Sequence, residues 1–512
     1  MNATLLFRLA VHDDRRVRIR TLDLAVVPGR ELRADFAGAR CPDVPALFAR
    51  LFARRTAMFP EAALPLPEVL PFSEAWRLLE EKHNAGNWNE AAGLYQVGLP
   101  WLADQHSDQS SQFWQNGWCG GGIAAFAFDH AGGELSSARA ARNLDFLLTH
   151  GVAGSGLFKA VMSSQGVWRG DGCGMSGEGI PEVLTRRQGD TLFFVLRQLQ
   201  LRRQRCQTTP PAWNAAARRC AHALCDLWER EGSFGFLIDY DHARVAIHGT
   251  TSGALIPAAL VQAADYFAEP RFLAVARTAA AQYRDHDLAW GVTTGGPGDA
   301  VQAPDGESIF GLIESFIALH HATGEPGWLE AAVQACHQAA SWVISFPVAF
   351  PPGSALAGLG MDARGTMVAN AQNKCGVPGI CTLSGDGILK TFRASGDARL
   401  LDLIREIAHA LPQFVSRADR PIPARITWGH PLPALPPGWI CERVNITPSW
   451  PEPLGEQAAY SCWCEVAMML TWCELPGIYA QPDTGLIRCL DHVRAEWSDA
   501  SRRTLRVANP TS

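Results

Sequence analysis

The sequence predicts an all-α fold, an (α/α)6 toroid of six helical hairpins with a small N-terminal β-hairpin appendage. Three observations predict it. Apolar residues recur at three- and four-residue spacing from Ser73 onward. One helix-to-helix joint returns at intervals of roughly sixty residues, the period of a hairpin repeat. The connectors between helices alternate between short and long.

The spacing predicts helices over 73–83, 121–129, 136–150, 190–201, 213–230, 252–267, 270–285, 307–323, 326–345, 379–395, 398–416 and 460–474. The repeated joint is visible in Ala268-Glu269-Pro270, Gly324-Glu325-Pro326 and Gly396-Asp397-Ala398. Each carries an acidic residue just ahead of the next helix, where it favours the positive helix end, and proline suits the first helical position. Before these helices, 4–11 and 17–27 alternate in strand fashion around Asp13-Asp14-Arg15-Arg16, which predicts a hairpin. The expected organisation is therefore a hairpin and linker over 1–72, packed on a catalytic domain over 73–512. Strand signals largely vanish after Ser73.

Short joints follow Asp129, Leu201, Phe267, Thr323 and Ser395, whereas long connectors occupy 84–120, 151–189, 231–251, 286–306, 346–378 and 417–459. In an up-and-down ring alternate connectors lie on opposite faces, so all six long ones gather on one. Irregular loops of that length in a compact domain usually carry function.

Composition excludes several classes. The chain has 512 residues, 47% hydrophobic and 19% charged, which is enough apolar material for a large core and rules out disorder as the main state. A net charge of −6 without a basic block gives no footing for nucleic acid. Fourteen cysteines with no Cys-x-x-Cys pair read as mostly buried thiols. No segment is apolar and long enough to span a bilayer, and Arg8 interrupts the first apolar run, so no leader is visible and a cytoplasmic location is expected. No cofactor and no metal are expected, and a homo-oligomer stays open.

The hairpin pattern from Ser73 onward resembles the six-hairpin (α/α)6-toroid glycosidases and the related polysaccharide lyases. The stretches 293–308 (TTGGPGDAVQAPDGES), 373–387 (NKCGVPGICTLSGDG) and 461–470 (SCWCEVAMML) are similar to a group in which glycoside hydrolase family 154, with β-glucuronidase activity, is the nearest named member. That resemblance implies an oligosaccharide or glycoside substrate, and no catalytic residue is carried over from it.

Glycoside hydrolysis needs an acid and a second carboxylate. Asp305 and Glu307 stand between a glycine-rich loop and an apolar helix, and Glu465 enters a helix otherwise made for the core. These three are the candidate catalytic residues. Asp305 as an N-cap, Glu307 as a first-turn charge and Glu465 as half of an ion pair are the structural alternatives. Glu178 and Asp386 are weaker candidates. For the sugar itself, aromatic faces, amides and cations are wanted, and Trp118, His248, Asn373, Lys374, Trp439, Glu442 and Arg443 supply them from the long connectors. Arg443 or Lys374 suits a uronic carboxylate.

Three alternatives stay open. A lyase or epimerase would use Tyr240, Tyr460 or His248 as base. A zinc-dependent cyclase is hinted at by Trp118-Cys119-Gly120 but lacks the remaining ligands. A glycan-binding toroid without catalysis would keep the loops and lose the chemistry.

Overall fold

The structure, a computed structural model, describes residues 40–58, 65–97, 113–117, 120, 122–171, 180–297, 303–426, 431, 434–447, 453–459 and 463–511. The chain divides into Met1–Pro42 and Asp43–Ser512. The hairpin expected over 4–11 and 17–27 lies outside the described residues.

The second unit carries thirteen helices of ten or more residues among those described. They are α1 (Val44–Met58), α2 (Phe72–Lys82), α3 (Gly122–Ala131), α4 (Glu134–His150), α5 (Thr185–Gln204), α6 (Pro211–Glu231), α7 (Ile256–Phe267), α8 (Pro270–Tyr283), α9 (Ser308–Thr323), α10 (Pro326–Ala339), α11 (Asp386–Ser395), α12 (Ala398–Ala410) and α13 (Trp463–Glu474). Twelve correspond to the predicted series. The addition, α1, falls in the stretch read as linker: Phe52 is buried, α1 packs on α10, and Arg55 pairs with Glu406.

Three starts differ from expectation by four residues or more; α7 begins at Ile256 rather than 252, after a turn over 252–255. Helix α5 begins at Thr185 rather than 190, because Arg186 and Arg187 are buried as part of it. Helix α11 begins at Asp386 rather than 379, because Thr382 and Gly385 take positive φ (62° and 89°) and a turn replaces the expected first helical turns. Asp386 therefore opens that helix instead of sitting within it.

Helices α3, α5, α7, α9 and α11 touch in succession, and α13 touches α3. Each pairs with an outer partner: α3 with α4, α5 with α6, α7 with α8, α9 with α10, α11 with α12, and α13 with α2. The last pair joins the two ends of the helical series. Helix α5 is buried on every side along Thr185–Leu196, which is why its sequence shows no polar stripe. Burial of Leu192, Phe193, Phe194, Leu196 and Leu199 contributes about 1.5–3 kcal/mol each.

Strands do not vanish after Ser73; they are the material of the long connectors. Trp114–Gln115 pairs with Val161–Met162, joining 84–120 to 151–189. Glu182–Leu184 pairs with Leu237–Asp239, joining 151–189 to 231–251. The Thr251 N–H donates to the Thr294 carbonyl (2.9 Å), and Gly306 and Ala369 continue the chain of links into 346–378 (2.8 Å). Gly376 stands opposite Val444 in a five-stranded sheet made from 346–378 and 417–459. Trp439 packs against Gly86 and so returns to 84–120. Each long connector thus touches the next. Ladders of two or three residues are too short to show alternation in a sequence. The C-terminal hairpins, Ile478–Gln481 with Leu486–Cys489 and Arg494–Trp497 with Leu505–Ala508, are longer and belong to no helical repeat.

The repeated joint has a common geometry. Ala268, Gly324 and Gly396 are left-handed C-caps at φ 57°, 70° and 75°, followed by Glu269, Glu325 and Asp397 at the N-cap. Only the first joint carries a Cβ in that conformation, which costs about 1–2 kcal/mol. Glycine loses part of that gain through unfolded-chain entropy. Ala268→Gly should therefore raise stability by about 1 kcal/mol, measured as a higher urea midpoint at unchanged slope, whereas Gly324→Ala should lower it by a similar amount.

Candidate active site

Under the connectors, at the starts of the inner helices, lies Arg186. Its Nη1 pairs with Glu307 Oε2 and donates to the Gly296 carbonyl (2.8 Å). Its Nε reaches Asp190 Oδ2 (3.3 Å), one helical turn on. Its Nη2 donates to Thr382 Oγ1 and meets Cys381 Sγ (both 3.0 Å). One guanidinium therefore binds α5, the loop before α9 and the turn before α11. The space left around it is only about 20 Å³. Burial opposes the charge on Arg186, but Cys381, Glu307 and Asp190 hold its proton well above the ordinary range. Thr382, at φ 62°, is a β-branched residue in the left-handed region, and this strained turn faces the same arginine.

Asp305 and Glu307 are brought together here. Asp305 is fully buried: Oδ1 accepts from the N–H groups of Glu307 (2.9 Å) and Ser308 (2.6 Å), and Oδ2 from Gly296 N–H (3.0 Å) and Ser308 Oγ (3.2 Å). It closes the glycine-rich loop onto the start of α9. A Cβ on Gly296 would stand 2.9 Å from both Asp305 Oδ1 and Glu307 Cβ, so the loop needs glycine there. Burial pushes both carboxyls above their ordinary range; backbone donors pull Asp305 back down and Arg186 pulls Glu307 back down.

Glu465 belongs to a different pair. It is fully buried on α13, joined to Lys82 at the end of α2, with His83 Nε2 at 3.5 Å and the Ile440 N–H at 3.3 Å. Among the described residues its partners lie on α2, at His83 and on the connector 417–459, away from Asp305 and Glu307. Lys82 Nζ stands 3.9 Å from the centre of the Trp439 ring, so that aromatic face carries an ammonium. Burial raises the Glu465 carboxyl against the pull of Lys82, and burial followed by Lys82 keeps His83 neutral.

The pairing of 376–377 with 443–444 gathers Asn373, Lys374, Glu442 and Arg443. The Asn373 N–H donates to Asn370 Oδ1 (2.7 Å), Lys374 is exposed at φ 53°, and Arg443 and Glu442 are half-buried. The Cys375 thiol is raised to about 11 by burial, with Arg443 opposing. Cys464 donates to the Glu442 carbonyl (3.3 Å) and feels both Glu442 and Cys381, while Cys381 feels Glu307. Burial thus keeps protonated both Cys381, beside Arg186, and Cys464, on the Glu442 backbone carbonyl. His248 is exposed on 231–251 and makes no contact with this group that the structure records. Trp118 and Glu178 lie outside the described residues. Among those described, no three His, Cys, Asp or Glu side chains are grouped to hold a metal ion.

Sequence reasoning missed Arg186, Asp190, Lys82, Cys381 and Thr382. A signal existed for the first two: Thr185-Arg186-Arg187-Gln188-Gly189-Asp190 leads directly into Leu192-Phe193-Phe194-Val195, and charges opening so apolar a helix need buried partners. The neighbouring Arg187 is such a case, forked onto Asp171 (2.5 and 2.9 Å). Nothing local marks Lys82 or Thr382.

No family model matches the chain, and no curated protein does. Among solved structures it is similar to a GH76 alpha-mannanase of Bacteroides thetaiotaomicron, with 11% identity over 79% of this chain and 95% of that one and a TM-score of 0.49. It is also similar to an unsaturated glucuronyl hydrolase specific for heparin (9%, 79% and 95%, 0.47) and to the cellobiose 2-epimerase of Bacillus thermoamylovorans (10%, 84% and 99%, 0.47).

The Lys82 and Glu465 pair gives a signed pH dependence. The folded carboxyl keeps its proton to higher pH than the unfolded chain does, so its contribution to stability falls as pH rises from the ordinary carboxylate range through the raised value. Removing Lys82 removes the opposing pull and widens that window. Lys82→Met should cost about 3–5 kcal/mol at neutral pH and less in mild acid. Adding Glu465→Gln should abolish the difference. Urea titrations at two pH values check it; an equal loss at both would count against the pairing.

Proposed function

We propose that the chain is a carbohydrate-active hydrolase that cleaves a glycosidic bond at the connector end of the helical ring. Glu307 is the general acid and Glu442 its partner. The same reading takes the twelve paired helices as an (α/α)6 toroid, with 1–72 as an appendage on a catalytic domain over 73–512. The observation that carries the proposal is Glu307, a carboxyl at the starts of the inner helices whose burial outweighs the pull of its arginine. A carboxyl whose proton affinity is raised is better suited than an ordinary one to protonate a leaving oxygen. The strained Thr382 turn and the fixed guanidinium beside it hold the acid in one place.

Glu442 suits the partner role because it is half-buried on the connector that pairs with 376–377, where its backbone carbonyl accepts from the Cys464 thiol (3.3 Å). Asp305 positions the loop, and Glu465 with Lys82 and Trp439 braces α13 against α2. Lys374 and Arg443, on adjoining connectors beside Asn373, favour an acidic sugar such as a β-glucuronide. His248, exposed on 231–251, serves as an outer contact for the rest of the substrate, and Trp118 keeps that role from the sequence alone.

Amide replacement tests the roles. Glu307→Gln and Glu442→Gln should each lower kcat on an aryl β-glucuronide by about 10²–10⁴-fold with circular dichroism unchanged. Asp305→Asn should act through stability and Glu465→Gln should leave turnover near normal. A catalytic loss in a folded Glu465→Gln or Asp305→Asn protein would move the acid or its partner to that residue. Equal turnover of neutral aryl glycosides would remove the acidic sugar. Ultraviolet absorbance from an unsaturated product would replace hydrolysis with elimination.

A further inference from the structure

The opposite end of the inner helices, where the short joints lie, is hollow. A cavity of about 590 Å³ opens there among α5, α7, α9 and α11, beside the joint Ala268-Glu269-Pro270. A recess of about 320 Å³ adjoins it, sharing Arg197, Gln200 and Lys390 and reaching α3 and α13. The larger volume is that of a small-molecule site. It lies far from the proposed chemistry: Arg186 and Arg197 are eleven residues apart on α5, or about 16 Å along the axis.

The charges of this well are unevenly satisfied. Arg197 pairs with Asp386 (3.2 Å) and with Glu474, and Lys390 pairs with Asp386 (2.5 Å), so both cations are committed. Glu269 at the rim pairs with Arg218 and His222. Glu314 makes no ion pair among the described residues; burial raises its carboxyl, and Lys390 and Arg197 oppose that rise. Glu314 is 4% exposed, Oε1 accepts the Gly387 N–H (2.8 Å), and no second hydrogen bond to it occurs among the described residues. A Cβ on Gly387 would stand 2.8 Å from its carboxyl, so the contact exists only with glycine there. Across the cavity, the buried Gln262 Oε1 also lacks a donor among the described residues. Asp265 adds a carboxylate at the exposed mouth.

Gln262 Oε1, a buried acceptor without a donor among the described residues, calls for a ligand that donates, and the carboxyls of Glu314, Asp386 and Glu474 set against the two cations Arg197 and Lys390 favour one that is positively charged. Phe193, Val261, Leu273 and Ile317 line the same space and call for hydrocarbon. We propose that this well binds a small amphipathic amine, with its ammonium on Glu314 and its apolar body between α7 and α9. An anion would meet only cations already neutralised, and a polyhydroxylated sugar would leave its hydroxyls against hydrocarbon.

Phenethylammonium is the probe, with phenethyl alcohol and phenylacetate as its neutral and anionic counterparts, in calorimetry on the full chain. The ammonium should bind about ten- to hundredfold more tightly than either counterpart, and Glu314→Gln, which keeps the acceptor for Gly387, should lose that margin. Ala318→Trp should block the cavity with Glu314 intact. Glu307→Gln, altered only at the other end, should bind as the unmodified chain does, so failure of the proposed hydrolysis leaves this result standing. Equal binding of the alcohol, undiminished binding by Glu314→Gln, or no binding of the ammonium would overturn the proposal.

Discussion

Two arginines of one helix hold the inner helices together. Arg186 reaches from α5 to the loop before α9 and the turn before α11, and Arg197 reaches from the same helix to α11 and α13. Neither α11 nor α13 is a neighbour of α5 in the succession of helix contacts, so these bonds cross the middle of the arrangement. Hydrophobic packing brings neighbouring helices together without direction. It does not specify which helices face one another across a centre. Paired charges in a dry interior do, because removing one partner leaves the other buried and uncompensated, at a cost of several kcal/mol.

That arrangement divides the molecule into two unlike ends. At the connector end, Arg186, Glu307, Asp190 and Asp305 fill the centre almost completely, and the surrounding loops are tied edge to edge by short ladders. Close packing there fixes the carboxyls and raises their proton affinity together, since the same exclusion of water does both. At the joint end the helices are linked by tight turns, the centre is open, and one buried carboxyl makes no ion pair among the described residues. Both ends depend on α5, whose enclosed apolar length lets its two arginines act at separate heights.

The helical series was legible because it is local. Three- and four-residue apolar spacing placed twelve helices, and the acidic residue and proline at 269–270 and 325–326 marked joints whose left-handed caps have the same φ range. Alternating connector lengths follow from the same count. The carboxyls at 305 and 307 were legible as a pair since both stand in the short turn ahead of α9, where Asp305 accepts the N–H groups of Glu307 and Ser308 and Glu307, expected in the first turn, occupies the N-cap position. The C-terminal hairpins also carried a local signal, Asp483-Thr484-Gly485 between short β-prone runs, which the helical reading passed over.

What each charge meets was decided only by the tertiary structure. Glu465 reads the same in sequence whether it faces a cleft or Lys82, which is 383 residues away along the chain. Arg186 meets Glu307 across 121 residues and Thr382 across 196, and Glu314 receives its one donor from Gly387 across 73. The sequence by itself determined twelve of the thirteen longer helices and where they turn, because those depend on neighbours within a few residues. It left open which buried charge is neutralised and which is not, because that depends on the distance between side chains from remote segments, and only the packing of the helices sets that distance.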